Sequence, residues 1–345
     1  MDDVFVIQDE IAQAVVAGLR VRLLDEIPSI DRTTPEAYAL YLQAVQLINL
    51  RNAESTLKAE SLLLKVLEID SDYVAALLNL ASAYRIGGST GAWHPNQSFP
   101  KARNATVEVL RVDADNVPAL LILANIALRY DYDVESTMEY LSQAELVSPT
   151  DDGVRGLASQ IALRSGDSET AIGLQEFAVE RDPADTNARY FLGLSYFTAR
   201  HFNKAKRSLK KAIELSPTIA GAHFYVGTIE MLEGNYNAAL AQIELETRDG
   251  YEATGRALLY HARGDSEQAD RALQELLVLG VRWTYQIAAV YAFRNEADEA
   301  FLWLDRAIDR RDTSLALLRG NPLMDNIRDD PRLNAVYARL GIEPQ

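Results

Sequence analysis

The chain has no cysteine. Disulfide staples, zinc–thiolate centres and thiol catalysis are therefore excluded. No apolar run reaches the length of about 18 residues that a membrane-crossing helix needs, so membrane insertion is not expected. The start lacks the basic stretch of a secretory leader, because Asp2, Asp3, Asp9 and Glu10 stand there. A cytoplasmic location is the expectation, with the periplasm as the alternative for a membrane-anchored regulator. Cationic side chains are also short. Lys and Arg number 34 against 50 Asp and Glu, a formal net charge of −16. Such a polyanion repels phosphate backbones and anionic lipid, so nucleic acid is not an expected partner.

Signatures of catalysis are missing as well. No GxxxxGK[ST] or GxGxxG phosphate loop occurs, and neither does HExxH or GxSxG. The four histidines, His94, His201, His223 and His261, are scattered and read as packing or surface residues rather than metal ligands. Asp70/Asp72, Asp113/Asp115 and Asp131/Asp133 are paired acids without a calcium loop behind them, and read as helix-end residues. No catalytic residue, no cofactor and no metal is expected, and the chain reads as a non-enzyme.

What is present is a period. Ala171, Ala205 and Ala239 are 34 residues apart, and so are Ala178 and Ala212, Pro183 and Pro217, and Gly193 and Gly227. A fixed period of this size marks a stacked repeat. Residues 4–25 read as an amphipathic helix with Val4, Ile7, Ile11, Val15, Leu19 and Leu23 on one face, ended by Pro28. From Thr34 to Arg311 the pattern gives about eight helix pairs. In the clearest, Thr186–Pro217, Leu192, Gly193 and Tyr196 face Ala205, Leu209 and Ala212. The Gly/Ser/Pro-rich stretch Arg85–Pro100, with Trp93 and His94, reads as a loop, either a plain surface loop or a lid. Asn321-Pro322 and Asp330-Pro331 each open a short capped helix, and Leu333, Val336 and Leu340 form one stripe. This tail reads as a cover for the last repeat. The expected domains are thus 1–28, an N-terminal amphipathic helix, 34–311, the array, and 312–345, a C-terminal capping segment.

Leu192-Gly193-x-x-Tyr196 followed by Ala205, Leu209, Ala212 and Pro217 resembles the tetratricopeptide repeat. The resemblance implies an all-α fold, a right-handed superhelical solenoid, and protein or peptide partners. A narrower resemblance rests on DDVFVIQDEIAQAVVAGLRVRL, TTPEAYALYL, TYQIAAVYAFRNEADEAFLWLDRAIDRRD and LMDNIRDDPRLNAVYARLG. These stretches are similar to a bacterial group in which a tetratricopeptide array follows a class III nucleotide cyclase domain or a winged-helix regulator. There the array usually joins through a small TolB-like domain, and the opening helix closes the domain before it. The resemblance implies a regulatory module, and no cyclase or DNA-binding residue is carried over.

The first helix of each pair is expected to line the concave side, with residues at steps of four and three forming stripes. Those stripes are Gly156/Gln160/Leu163, Tyr190/Leu194/Phe197, Phe224/Thr228/Met231, Thr254/Leu258/His261 and Tyr285/Ala289/Ala292. Arrays that hold acidic chaperone termini carry Lys and Asn at such places, and here they are apolar and aromatic. The reading is a groove for an apolar or amphipathic protein segment, gripped by Tyr190, Leu194, Phe197, Phe224, Thr228, Met231 and Tyr285. The alternative is that the aromatics pack between repeats. The basic run Lys204, Lys206, Arg207, Lys210, Lys211 reads as a solvated face, or as a dock for an acidic neighbour such as a second copy of the chain.

Overall fold

The computed structural model describes residues 33–343 apart from Arg51 and Gly91. The expected helix over 4–25 and the segment 1–28 lie outside them. Among the described residues the structure is all-α, without strands.

Contacts divide the chain at Ala92–Trp93 into two units, inside the stretch read as one array. The first unit holds α1 (Pro35–Asn49), α2 (Ala53–Ile69) and α3 (Val74–Thr90). Thr34 and Asn52 cap α1 and α2, their side-chain oxygens accepting from Ala37 N at 3.2 Å and Ser55 N at 2.9 Å. Ala44, Ala59, Leu63 and Val66 are fully buried between these helices.

The second unit begins with α4 (Pro95–Val112) and continues as helix pairs: α5 (Val117–Ile126) with α6 (Val134–Val147), α7 (Asp152–Ser165) with α8 (Ser168–Arg181), α9 (Thr186–Thr198) with α10 (Phe202–Leu215), α11 (Ala222–Leu232) with α12 (Tyr236–Ile243), α13 (Asp249–Ala262) with α14 (Ser266–Leu279), and α15 (Thr284–Phe293) with α16 (Ala297–Asp309). Within this unit each helix packs on its chain neighbours, and first helices also meet across pairs, α11 on α13 and α13 on α15.

The expected loop over Arg85–Pro100 is a correction. Helix α3 runs on to Thr90 and α4 starts at Pro95, leaving a short connection. Proline suits the first turn of a helix, where its missing N–H would have no partner, and His94 Nδ1 accepts from Asn96 N at 3.2 Å to complete the cap. Composition suggested a loop, and capping chemistry decided for a helix.

The repeat period reappears in the backbone. Tyr132, Gly166, Arg200 and Gly234 all have positive φ and lie 34 residues apart; Gly264 and Asn295 continue the series at shorter intervals. Each sits between the two helices of a pair. The residue after it donates back across the last turn, as in Asp167 N to Ala162 O at 2.8 Å, His201 N to Tyr196 O at 2.8 Å and Asn235 N to Glu230 O at 2.8 Å. This is the Schellman closure, which satisfies the orphan carbonyls of the first helix. Asp133, Asp167 and Asp265, each next in sequence to such a turn residue, then cap the second helix. Hydrogen bonds from Ser136 and Thr170 hold the Asp133 and Asp167 carboxyls below the usual range. Part of the acidic excess is therefore capping, not a site.

Within a pair the expected meshing is observed. A Cβ on Gly193 would lie 2.6 Å from Leu209 Cγ, so only glycine lets α9 and α10 approach this closely. Ala205, Leu209 and Ala212 are fully buried opposite. Helix α12 is short, as expected from Glu244–Asp249, and the structure shows why. Glu246 is buried, and its carboxylate accepts from Gly221 N at 3.0 Å and Phe224 N at 3.3 Å on one oxygen and from Thr247 N and Arg248 N on the other. It caps α11, a role the sequence did not reveal.

Candidate functional site

The candidate site lies in the second unit, on the first helices of its pairs. From α16 the chain turns at Arg311, and Asp312 caps α15, accepting from Thr284 Oγ1 at 2.9 Å and Tyr285 N at 3.1 Å. The 3-10 segment Thr313–Leu317 then packs on α7, and a second one, Pro322–Ile327, packs on α15. Last comes α17 (Arg332–Arg339), packed on α16. The tail is thus more than the expected cover for the last repeat. It reaches back across the array.

Polar contacts pin it along this path. Arg164 Nη2 of α7 donates to Leu340 O at 2.5 Å. Arg200 pairs with Asp325 at 2.7 Å, Asn326 Nδ2 donates to Phe293 O at 2.8 Å, and Asn321 Nδ2 donates to Tyr285 Oη at 2.8 Å. Gly320 lies against Thr198 of α9. Leu315, Leu318, Leu323, Met324, Ile327, Leu333, Tyr337 and Leu340 are buried in the same apolar cluster as the inner helices.

The residues expected to grip a partner are placed in that cluster. Relative exposure is 4% for Leu194, 0% for Phe197, 4% for Phe224, 1% for Thr228, 3% for Met231 and 3% for Tyr285. Tyr190 is half-buried and packs against the cluster. With the tail in place, then, these positions form no open groove. Phe197 meets Tyr225 edge-on at 5.3 Å, and Phe224 stacks on Tyr251 at 5.2 Å, which meets Trp283 at 5.0 Å. The aromatics bridge successive pairs, the alternative reading of the stripes. Gln160, Leu163, Tyr190 and Leu194 do look toward the tail, sharing a cavity with Thr313, Ser314, Ala316 and Leu317.

The site is poor in acid–base chemistry. Burial pushes the Tyr225 phenol well above its ordinary value, and it raises that of Tyr285 too, with Asn321 offsetting part of the effect. Both stay neutral near pH 7. Burial lowers the His261 imidazole, with Arg294 adding to the effect. Among the described residues no group of three His, Asp or Glu is arranged to hold a metal ion, and no helix is long and apolar enough to cross a membrane.

The basic run on α10 is divided. Lys206 bridges Glu230 at 3.1 Å and Glu233 at 2.6 Å, Lys204 lies over the Tyr196 ring, and Lys211 pairs with Glu214. Part of it ties α10 to α11.

Comparison with known proteins agrees with this geometry. Residues 186–219, which hold α9 and α10, match the tetratricopeptide repeat. That pair is a tetratricopeptide repeat. "Putative adenylate cyclase 3" of Rhizobium meliloti (strain 1021) is 36% identical over 85 residues, 24% of this chain and 14% of that protein. "Superkiller complex protein 3" of Mus musculus is 32% identical over 83 residues, 24% of this chain and 5% of that protein. The chain therefore spans only a small part of either relative. Among solved structures, the human IFIT1 dimer with PPP-AAAA has a TM-score of 0.51 at 19% identity, covering 74% of this chain and 69% of that one. PilW, a type IV pilus biogenesis factor, has a TM-score of 0.50 at 16% identity, covering 63% and 97%. At such identities the structural likeness speaks for the fold alone.

Proposed function

We propose that the chain is a protein-binding scaffold whose inner tetratricopeptide face takes an apolar, partly helical segment, and that residues 313–343 are such a segment held in cis. The supporting observation is the burial of Leu194, Phe197, Phe224, Met231 and Tyr285 in one cluster with the tail's Leu323, Met324, Tyr337 and Leu340. A wall this apolar is satisfied by apolar side chains, and each one that it buries contributes roughly 1.5–3 kcal/mol. A partner segment of similar chemistry would compete with the tail. The net charge of −16 favours protein over nucleic acid as that partner.

The test separates tail from array. A protease site inserted after Arg310 allows the tail to be cut once the chain has folded. The cut protein is expected to bind a fluorescent peptide of residues 313–343 saturably, and the uncut protein is not. A cut protein that ignores the peptide, or an uncut one that binds it equally, would remove this reading.

A second reading is favoured by the Rhizobium relative: the array is the regulatory part of a signalling protein, biasing a cyclase or winged-helix domain. Genomic context checks it. A cyclase or winged-helix reading frame joined or adjacent upstream is expected, and unrelated neighbours on that side would defeat it.

A further inference from the structure

Between the 3-10 segment Thr313–Leu317 and the inner helices lies a cavity of about 150 Å³. That is the size of an engineered apolar cavity that holds benzene. Its floor is aromatic and aliphatic, with Tyr190, Phe191 and Leu194 from α9. Its roof is the tail, through Ser314, Ala316 and Leu317.

Two arginines line the cavity: Arg129, whose guanidinium donates to Gln160, and Arg164, which stands apart from the other charged groups. Arg164 is only 4% exposed. Its Nη2 donates to Leu340 O, its guanidinium stacks over the Tyr132 ring at 5.0 Å, and its Nε has no partner. No carboxylate pairs with it among the ion pairs of the described residues. Asp312, the nearby acid, is committed to Thr284, Tyr285 N and Ser314 N. Other well-covered cations here are paired: Lys206 with Glu230 and Glu233, and Arg294 with Asp270 and Glu296. A buried cation without an anion is costly, and its planar fork suits a carboxylate. Burial pulls the Arg164 guanidinium down to about 10, which leaves it charged at neutral pH.

We infer that this cavity binds a small organic carboxylate of about the size of benzoate, its anionic group paired with Arg164 and its apolar body lying against Tyr190, Phe191 and Leu194. The volume suits a ligand of this size, the floor disfavours compact polar anions, and the guanidinium without a carboxylate selects charge. The ligand would sit under the tail, so the site exists only while the tail is docked. This goes beyond partner binding and is tested on the full chain.

The experiment is calorimetric titration with sodium benzoate, with benzyl alcohol as the neutral analogue. Benzoate is expected to bind saturably and at least about tenfold more tightly, because a charge-assisted pair contributes more than a neutral hydrogen bond. Arg164→Gln should remove that tenfold preference and leave benzyl alcohol unchanged. If Arg164→Gln loosens the tail through the lost bond to Leu340 O, Ala316→Phe provides the second variant. It fills the cavity from the roof, leaves Arg164 in place, and should abolish binding of both compounds. Absence of saturable benzoate binding by the unaltered protein would overturn the inference. So would equal affinity for the two compounds, or benzoate binding that survives Ala316→Phe.

Discussion

Replacing Tyr337 by alanine will lower stability by about 3–5 kcal/mol, the range for deleting a fully buried aromatic ring. Tyr337 is 1% exposed, lies on α17, and is among the largest fully buried side chains of the chain. Its ring packs in the cluster shared with the inner helices, with the Arg319 guanidinium 5.6 Å away. Alanine would leave a cavity at the point where the tail is anchored. The hydroxyl behaves oppositely. It is buried without a hydrogen-bond partner, and an unsatisfied buried polar group costs about 1–3 kcal/mol. Tyr337→Phe is therefore expected to be neutral or stabilising. Urea unfolding of the three proteins checks both halves. A Tyr337→Ala protein within about 1 kcal/mol of the parent would show that the tail is not part of the cooperative core.

Ala205→Glu will be at least as damaging, at several kcal/mol, the effective penalty for burying an uncompensated ion. Ala205 is fully buried on the α10 face that meets α9. The structure places Leu209 and Gly193 so close on this seam that even a Cβ on Gly193 would lie 2.6 Å from Leu209 Cγ, which leaves no room for a side chain of glutamate's length. The introduced carboxyl will have a raised pKa in the folded state. Its penalty is then full above that raised value and shrinks as pH falls through it toward the unfolded value of about 4.3. Denaturant midpoints of variant and parent should converge on acidification. A constant gap from pH 7 to pH 4, or no gap at all, would contradict the packing described.

Much of the architecture was legible because repetition carries it. Ala171, Ala205 and Ala239, with Gly193 and Gly227, report small residues at a seam, and only close helix pairs need them at a 34-residue interval. The stripes on the first helices were legible too, since Gln160, Leu163, Tyr190 and Leu194 line one cavity. What covers the stripes was not. A helical period says which face is apolar and is silent about which distant segment lies on it. Leu333, Val336 and Leu340 showed a stripe of their own, but the tail's reach to Arg164 through Leu340 O and to Tyr132 beside Gly341 rests on tertiary contacts far apart in sequence. Arg164 itself was invisible, because an arginine near a helix end ordinarily faces water. Arg85–Pro100 misled through its glycines and prolines, where Pro95 is a helix start.

The bond from Arg164 to Leu340 spans 176 residues. A linear stack of repeats can ordinarily peel open from either end, one unit at a time. Here the last pair is strapped to α7 by the segment that follows it, so α15 and α16 cannot fray until the strap lets go. Hydrogen exchange in α15 should then match that in α9 instead of declining toward the end of the stack, and a pull on the C-terminus would meet its resistance at the strap first.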